Sequence, residues 1–585
     1  MKKLIRIATI FIFPFGSFSQ ITELLWTNQI GAESNEVVSG IVNDADGNIY
    51  TVGHFGSTVD FDPGPAEVNL TDESNDDIFI QKSDSEGNLI WVKQLEGNFP
   101  QTGQINLDAA GNILFSGFFS DSLDANPSEL EELYIYQNEV DFSAFIIKLN
   151  PDGEFIWVKQ FTADGELSNF VIMQDIQFDT DDNVIASLVF SGTLNMGTFD
   201  DPEEIFAEGQ DILFFKLNAT DGAIEWYKQI GGNGDDYAKV VVDEDENIVL
   251  AGYYGGTADF DPGVDIYNLS TGAVLGNPHC FVAKYTSSGD FIWAKPIIGD
   301  YHGKILDLAL HDEGLLVTGR LSGIADFDFS PTIFEMDSGE NSDIFVLKIN
   351  YDGEFNWVKA IKTGNYFCGS LIETDSLNNI YITGIFNDSA DLDPSGATFI
   401  VNTTVPMGPE PLYFDAFITK WNATGEILWG GHFLSNSSIE LEKSVKLCVV
   451  NPNEIYGITN FSSALDIDPN LGSSYLLTSE GASDLVLFKL NIVDALTNEE
   501  IITNEGFKLF PNPVSTLLTV TAPENVTNYS IFIYDLLGEL VLQKMDITTN
   551  NNQFMTEDLA NGIYTVVIRD TAGEILQSQK IVVQL

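Results

Sequence analysis

"NEVVSGIVNDADGNIYTVGHF", residues 35–55, reads as two β-strands folded about a tight turn. Val, Ile, Tyr and Thr fill its arms, and such side chains suit a pleated, half-buried surface. The Asp, Asn and Gly of the "DADGN" between them are turn formers. Downstream lie a long segment carrying "VDFDPG" (59–64), then "DIFIQK" (77–82), the turn "SDSEGN" (83–88) and "LIWVKQL" (89–95). The unit therefore holds four strands, with two short turns and one long loop.

The same phrase returns along the chain. Trp26, Trp91, Trp157, Trp226, Trp293, Trp357 and Trp429 follow one another at 65, 66, 69, 67, 64 and 72 residues, and Trp421 alone stands outside the series. The third strand ends seven times in lysine: Lys82, Lys148, Lys216, Lys284, Lys348, Lys420 and Lys489. The second strand begins at Ile49, Ile113, Val184, Ile248, Leu315, Ile380 and Ile455. Evenly spaced four-stranded units are what a β-propeller requires. After Lys489 no Gly-turn and Trp strand follow, whereas "ELLWTNQIG" around Trp26 precedes the first unit. The expected fold is thus all-β, a seven-bladed β-propeller over 20–491 closed by its N-terminal strand. An open solenoid would need capping repeats that the sequence lacks.

Composition narrows the partners. The chain has 25 Lys and Arg against 88 Asp and Glu. Lys2, Lys3 and Arg6 fall in a basic, then apolar, N-terminal stretch that has the layout of a signal peptide over 1–19. Without them the net charge is −66. A field of that sign repels phosphate backbones, which excludes nucleic acid as a partner. The apolar run from Ile7 to Phe15 is too short to span a bilayer, and no transmembrane segment is expected elsewhere. Cys280, Cys368 and Cys448 are few, odd in number and far apart, so they read as small buried hydrophobes.

The long loops contain "GTADFDPG" (256–263), the third strands "DIFVLK" (343–348) and the fourth "GEFIWVKQ" (153–160). On these motifs residues 21–491 resemble the bacterial secreted β-propeller repeat family (SBBP-like repeats), with "LDANPS" at 123–128 and "FDDPEE" at 199–204 departing from the loop pattern.

The D-x-D of the loop admits two readings. In an extended segment the flanking residues share a side and the central one points away, so Phe61, Phe260, Phe327, Leu392 and Ile467 are expected as buried anchors. The pairs Asp60/Asp62, Asp259/Asp261, Asp326/Asp328, Asp391/Asp393 and Asp466/Asp468 then either accept backbone N–H groups in Asx-turns, with repeat lysines as counter-charge, or hold Ca²⁺ with loop carbonyls. Topology puts the two short turns of each unit at one end and the long loops at the other, where a glycan or protein ligand would bind.

Catalytic signals are weak. Arg320 is the only arginine of the repeats, which removes a sialidase-type arginine cluster, and the five histidines occupy unlike repeat positions with no metal-ligand spacing. There is no nucleophile elbow or P-loop. Paired carboxylates leave a carbohydrate-active enzyme, a glycosidase or lyase, as the alternative to a non-enzymatic binding or structural module.

A polar linker (492–504) leads into a short stretch with alternating strands, expected as a small β-sandwich over 505–585. "FPNP" with Pro511, Asn512 and Pro513, "YDLLGELV" with Gly538, and "LANGIYTV" with Gly562 and Tyr564 are similar to the type IX secretion system C-terminal sorting domain, of type A. That resemblance implies a partner in the type IX secretion machinery, passage across both membranes, removal of the tail, and residence on the cell surface or outside the cell.

Overall fold

The structure, a computed structural model, describes residues 20–583 apart from 73–75, 99, 129, 138–141, 165–168, 197–202, 272–277, 340–341, 366–369, 404–413, 436–444, 471–473, 495–506, 511–513, 515, 524–527, 535–539, 550, 557–558, 560–561 and 570–574. The leader at 1–19 lies outside them. Every element among the described residues is a β-strand. The chain divides after Val493 into two compact units.

In the repeat region, strands Glu36–Asn43, Ile49–Phe55, Asp77–Ser83 and Leu89–Leu95 hydrogen-bond antiparallel in chain order. Five more sets repeat this order, starting at Gln101–Leu107, Val171–Phe178, Tyr237–Val242, Ile298–His311 and Ser370–Thr374. The seventh set joins the two ends of the region. Lys446–Asn451, Glu454–Phe461 and Asp484–Asp494 are completed by the N-terminal strand Gln20–Ile30. The indole of Trp26 accordingly lies 6.0 Å from the Tyr456 ring. First strands touch one another in chain order, and the seventh meets the first. None of the sheets closes into a barrel.

Burial explains the strand composition. The second strands Ile49–Phe55, Ile113–Phe119 and Ile248–Tyr254 are buried at all but one position, so they read as continuous apolar runs. Fourth strands keep partly exposed residues because they lie at the sheet margin. The spacing of the Lys and Trp signatures is a register. Lys82 faces Trp91, Lys148 faces Trp157, and four further sets repeat the pairing, each with a bulge directly after the lysine. Each indole then packs on the next set. Gly222 has φ 67°, and a Cβ there would lie 2.8 Å from Trp157 of the preceding repeat. Glycine at that turn thus serves both conformation and close approach. Trp26, Trp91, Trp226 and Trp293 meet Gly87, Gly153, Gly289 and Gly353 in the same way.

The tail has a three-stranded sheet (Lys508–Phe510, Leu517–Thr521, Asn551–Met555) and a four-stranded one (Leu540–Ile547, Tyr529–Tyr534, Gly562–Arg569, Ile575–Val583). Val520 and Phe554 from the first share a core with Ile531, Val566 and Ile581 from the second.

Candidate functional site

The long loops were the sequence's main candidate. Phe61, Phe260, Phe327, Leu392 and Ile467 are fully buried, as anchors should be. Phe260 meets the Phe281 ring at 4.6 Å, and Phe61 meets Phe79 at 5.0 Å. The first aspartate of each pair organises the loop. Asp259 Oδ1 accepts the N–H of Asp261 at 3.1 Å and of Tyr267 at 2.9 Å. Asp60 does this for Asp62 and Val68, Asp326 for Asp328 and Phe334, Asp391 for Asp393 and Phe399, and Asp466 for Asp468 and Tyr475. The second aspartate closes a smaller turn: Asp62, Asp261, Asp328, Asp393 and Asp468 accept from Gly64, Gly263, Ser330, Ser395 and Asn470. Asp124 carries the same network in the divergent second loop, through Asn126 and Leu133. Each network uses one oxygen of the carboxylate on the backbone. Among the described residues no three His, Cys, Asp or Glu side chains are grouped to hold a metal ion.

These turns also clasp neighbours. Ala258 and Asp259 pair with Gly232 and Gly231 at the end of the preceding set, and Asp391 and Asp466 pair with Lys362 and Leu434 in the same fashion.

The third-strand lysines do not neutralise these loop aspartates, although Lys359 of a fourth strand feels the charge of Asp393. They lie at the other end of the strand and reach the turn between the first two strands. Lys148 meets Asp108 at 2.8 Å, Lys216 meets Asp179 at 2.6 Å and Lys284 meets Asp243 at 2.7 Å. Burial works against the Asp108 carboxylate, yet the Lys148 and Asn112 bonds outweigh it and hold the group below its ordinary value. The counter-charge expected at the D-x-D pairs is therefore at the tight turns, because an antiparallel strand's last residue cannot return to the loop that precedes its first.

A second group of polar residues stitches the circuit of first strands. Every junction carries a bond: Thr102 to Ser39 at 2.9 Å, Asn106 to the Ile176 carbonyl at 2.5 Å, the Val240 N–H to Asp175 at 3.3 Å, and Lys239 to Asp307 at 2.9 Å. Asp307 then accepts the Ile372 N–H at 3.0 Å, Glu373 the Val449 N–H at 3.0 Å, and Asn43 the Cys448 thiol at 2.8 Å. Burial pushes the Glu373 carboxyl up to about 8 against the pull of its Val449 bond, and the Asp175 carboxyl up to about 6 against that of Lys239. Beside them Tyr237 and Tyr253 stack at 5.2 Å, with the Lys304 ammonium 4.4 Å above the Tyr253 ring. A carboxyl kept protonated by burial can donate a proton, and stacked phenols offer a flat contact. The sequence shows these residues only as isolated charges in short apolar strands, which is too little to assemble a site.

Cys280 and Cys448 are buried and unpaired, and Cys368 lies outside the described residues. Burial pushes the Cys280 thiol up to about 12. In the tail, Pro511, Asn512, Pro513 and Gly538 also lie outside the described residues. Gly562 opens the strand Gly562–Arg569, and Tyr564 is buried in its core.

Residues 508–584 match the family described as the secretion system C-terminal sorting domain. That segment is a sorting domain of the type IX system, and it marks the chain for export to the cell surface or the extracellular space. Among the described residues no helix is long and apolar enough to cross a membrane. The chain is 23% identical over 516 residues to the uncharacterized WD repeat-containing protein L264 of Acanthamoeba polyphaga mimivirus, covering 75% of this chain and 36% of that protein. It thus spans about a third of the length of the curated relative it matches. A structure of unknown function from Dyadobacter fermentans is similar at 9% identity and TM-score 0.33, over 81% of this chain and 99% of that one. PorZ, a surface component of the type IX secretion system of Porphyromonas gingivalis, is similar at 9% identity and TM-score 0.13, over 96% and 100%.

Proposed function

We propose that residues 20–493 form a seven-bladed β-propeller of secreted-repeat type that serves outside the cell as a binding or structural module, while the tail engages the type IX machinery and is then removed. The observation that carries the proposal is the unbroken circuit of first strands, bonded at all seven junctions, together with a seventh set whose fourth strand is Gln20–Ile30. Radial packing of this kind removes long free edges and suits a protein exposed to an uncontrolled medium. The expected binding surface is the long-loop end, where loops held rigid by their own carboxylates present side chains to solvent. Ca²⁺ at the D-x-D pairs has less support, since those carboxylates already hold backbone N–H groups.

Electron-microscopic class averages of the purified protein should show seven sectors around a centre, and six or eight would refute the architecture. A chain ending at residue 504 should stay inside the cell, while the full chain is exported. A second reading, a carbohydrate-active enzyme, draws support from Glu373, whose carboxyl is pushed up by burial first and also by Asp307 on the adjacent first strand. Turnover on a panel of polysaccharides that is lost in Glu373→Gln would favour that reading over binding alone.

A further inference from the structure

Two observations bear on what the long-loop end meets. The first is charge. Segments 56–76, 120–142, 191–210, 255–278, 322–342, 387–414 and 462–483 join the second and third strands, and they contain no Lys, Arg or His. They do contain exposed carboxylates that take no part in the loop turns, such as Glu131, Glu204, Asp265 and Glu335. The positive charge of the third strands is held at the opposite end, where Lys148, Lys216 and Lys284 are paired with turn aspartates. Among the described residues the basic groups at this end include Lys362 of a connector and His279, His302, Lys304 and Arg320 at the loop ends of their strands, far fewer than the acids.

The second observation is apolar exposure. Each of the seven loops leaves a large apolar side chain in water: Val68 at 36%, Leu130 at 92%, Phe206 at 63%, Val264 at 100%, Ile333 at 68%, Ile400 at 53% and Leu476 at 65%. The buried anchors, Phe61, Phe260 and their equivalents, already hold the loops down, so these further residues leave apolar surface that the fold does not cover. Apolar groups recurring on one face mark an interaction surface.

We infer that the long-loop end is a docking surface for a cationic polypeptide segment that carries apolar side chains. The inference rests on the seven-bladed reading, which gathers the loops at one end. Anionic polysaccharide and nucleic acid are repelled by such a surface, and a neutral sugar gives the excess of negative charge no purpose. A segment with Lys or Arg among apolar residues satisfies both observations: its charges steer the encounter, and its apolar side chains cover the loop tips. The carboxylates bound into the Asx-turns stay as scaffold, and the free ones meet the partner.

The test uses the chain from residue 20 to its end and three short fluorescent peptides, with alternating Lys–Leu, Lys–Ser and Glu–Leu. The Lys–Leu peptide should bind, should weaken steeply as salt is raised, and should bind better than the other two. The variant Glu131→Lys/Glu204→Lys/Asp265→Lys/Glu335→Lys should lose about tenfold or more in affinity. Asp46→Lys/Glu86→Lys/Asp152→Lys/Asp245→Lys makes the same net charge change on exposed turn residues at the opposite end and should stay within about twofold. Val264→Ser/Ile266→Ser/Ile333→Ser should weaken Lys–Leu and leave Lys–Ser unchanged. Equal losses in the two charge variants would make the binding a bulk-charge effect and overturn the proposal, as would a Lys–Leu peptide that binds no better than Lys–Ser or does not bind. The ring is tested separately. Thr22 Oγ1 lies 2.9 Å from Asn470 Oδ1, so Thr22→Cys/Asn470→Cys should be joined by a short bismaleimide. Failure of that link counts against the architecture, whereas a successful link with no peptide preference counts against the docking surface alone.

Discussion

Replacing Asp259 separates a scaffold loop from a metal loop. In Asp259→Ala the N–H groups of Asp261 and Tyr267 lose an acceptor now at 3.1 and 2.9 Å. A bond to a charged acceptor contributes on the order of 1.5–3 kcal/mol, but this site is partly exposed and water replaces much of it, so the pair should cost about 2 kcal/mol. In Asp259→Asn the side-chain oxygen remains and only the charge goes. The cost should then stay below about 0.5 kcal/mol. Hydrogen exchange at the Tyr267 amide under native conditions reads the difference locally, which matters because a chain of stacked repeats need not melt in one step. Exchange should quicken about 30-fold in Asp259→Ala and no more than about threefold in Asp259→Asn. Millimolar Ca²⁺ and Mg²⁺ should protect the amide equally, as screening alone would. Equal losses in the two variants, or protection peculiar to Ca²⁺ that both abolish, would refute the backbone-acceptor account and restore the loop as a cation site.

Other perturbations test the packing and the buried charges. Phe260→Ala opens a cavity beside Phe281 and should cost about 3–5 kcal/mol in a denaturant titration; a loss below about 1 kcal/mol would mean that the anchor is not one. Asp108 is ionised at a value lowered from 3.8 in the folded chain, against burial, by Lys148 and Asn112. Its contribution is therefore complete above 3.8 and disappears as pH falls through the lower folded value. Lys148→Met should flatten that acid limb, and an unchanged limb would remove the pair from the account. Glu36 shows the opposite sign. Burial first, and then the nearby Asp484, push its carboxyl from 4.5 to about 8, while the Ala32 N–H pulls it back. The unfolded chain releases this proton near 4.5 and the folded chain keeps it to about 8, so stability falls as pH rises through that window. Glu36→Gln should raise the melting temperature at the upper end of the window, by an amount worth a few kcal/mol at about 1.4 kcal/mol per unit, and should change little at the lower end. An equal gain at both ends would show that charge is not the cause.

Much of the loop was legible because its grammar is local. D-x-D in an extended segment fixes which residue turns inward, so Phe61, Phe260, Phe327, Leu392 and Ile467 could be named as anchors from alternation alone. The Asx-turn needs only residues two to nine positions away. The lysines were read correctly as partners of aspartate but were assigned in part to the wrong end of the strand. Lys148 stands close to Asp124 in sequence, whereas its carboxylate, Asp108, is brought near by sheet pairing. The polar residues of the first strands were not legible, since Asp175, Lys239, Asp307 and Glu373 stand on four different repeats and acquire meaning only as neighbours.

The sequence by itself determined the period, the order of four strands in each unit, the chain-end offset that joins Trp26 to the last repeat, and the sorting tail. The strand order follows from apolar alternation and turn chemistry within one unit, and the period and the offset from the same signatures recurring along the chain. Tertiary structure alone decided which acid meets which lysine, that Trp157 rests on Gly222 of the next repeat, and that the first strands are bonded around a complete circuit. The physical reason is that the indole and first-strand contacts join residues about a whole repeat apart, where the packing of one sheet against the next chooses the partner. The lysine–aspartate pairs stand within one repeat but are set by strand register across its sheet, which no local pattern records.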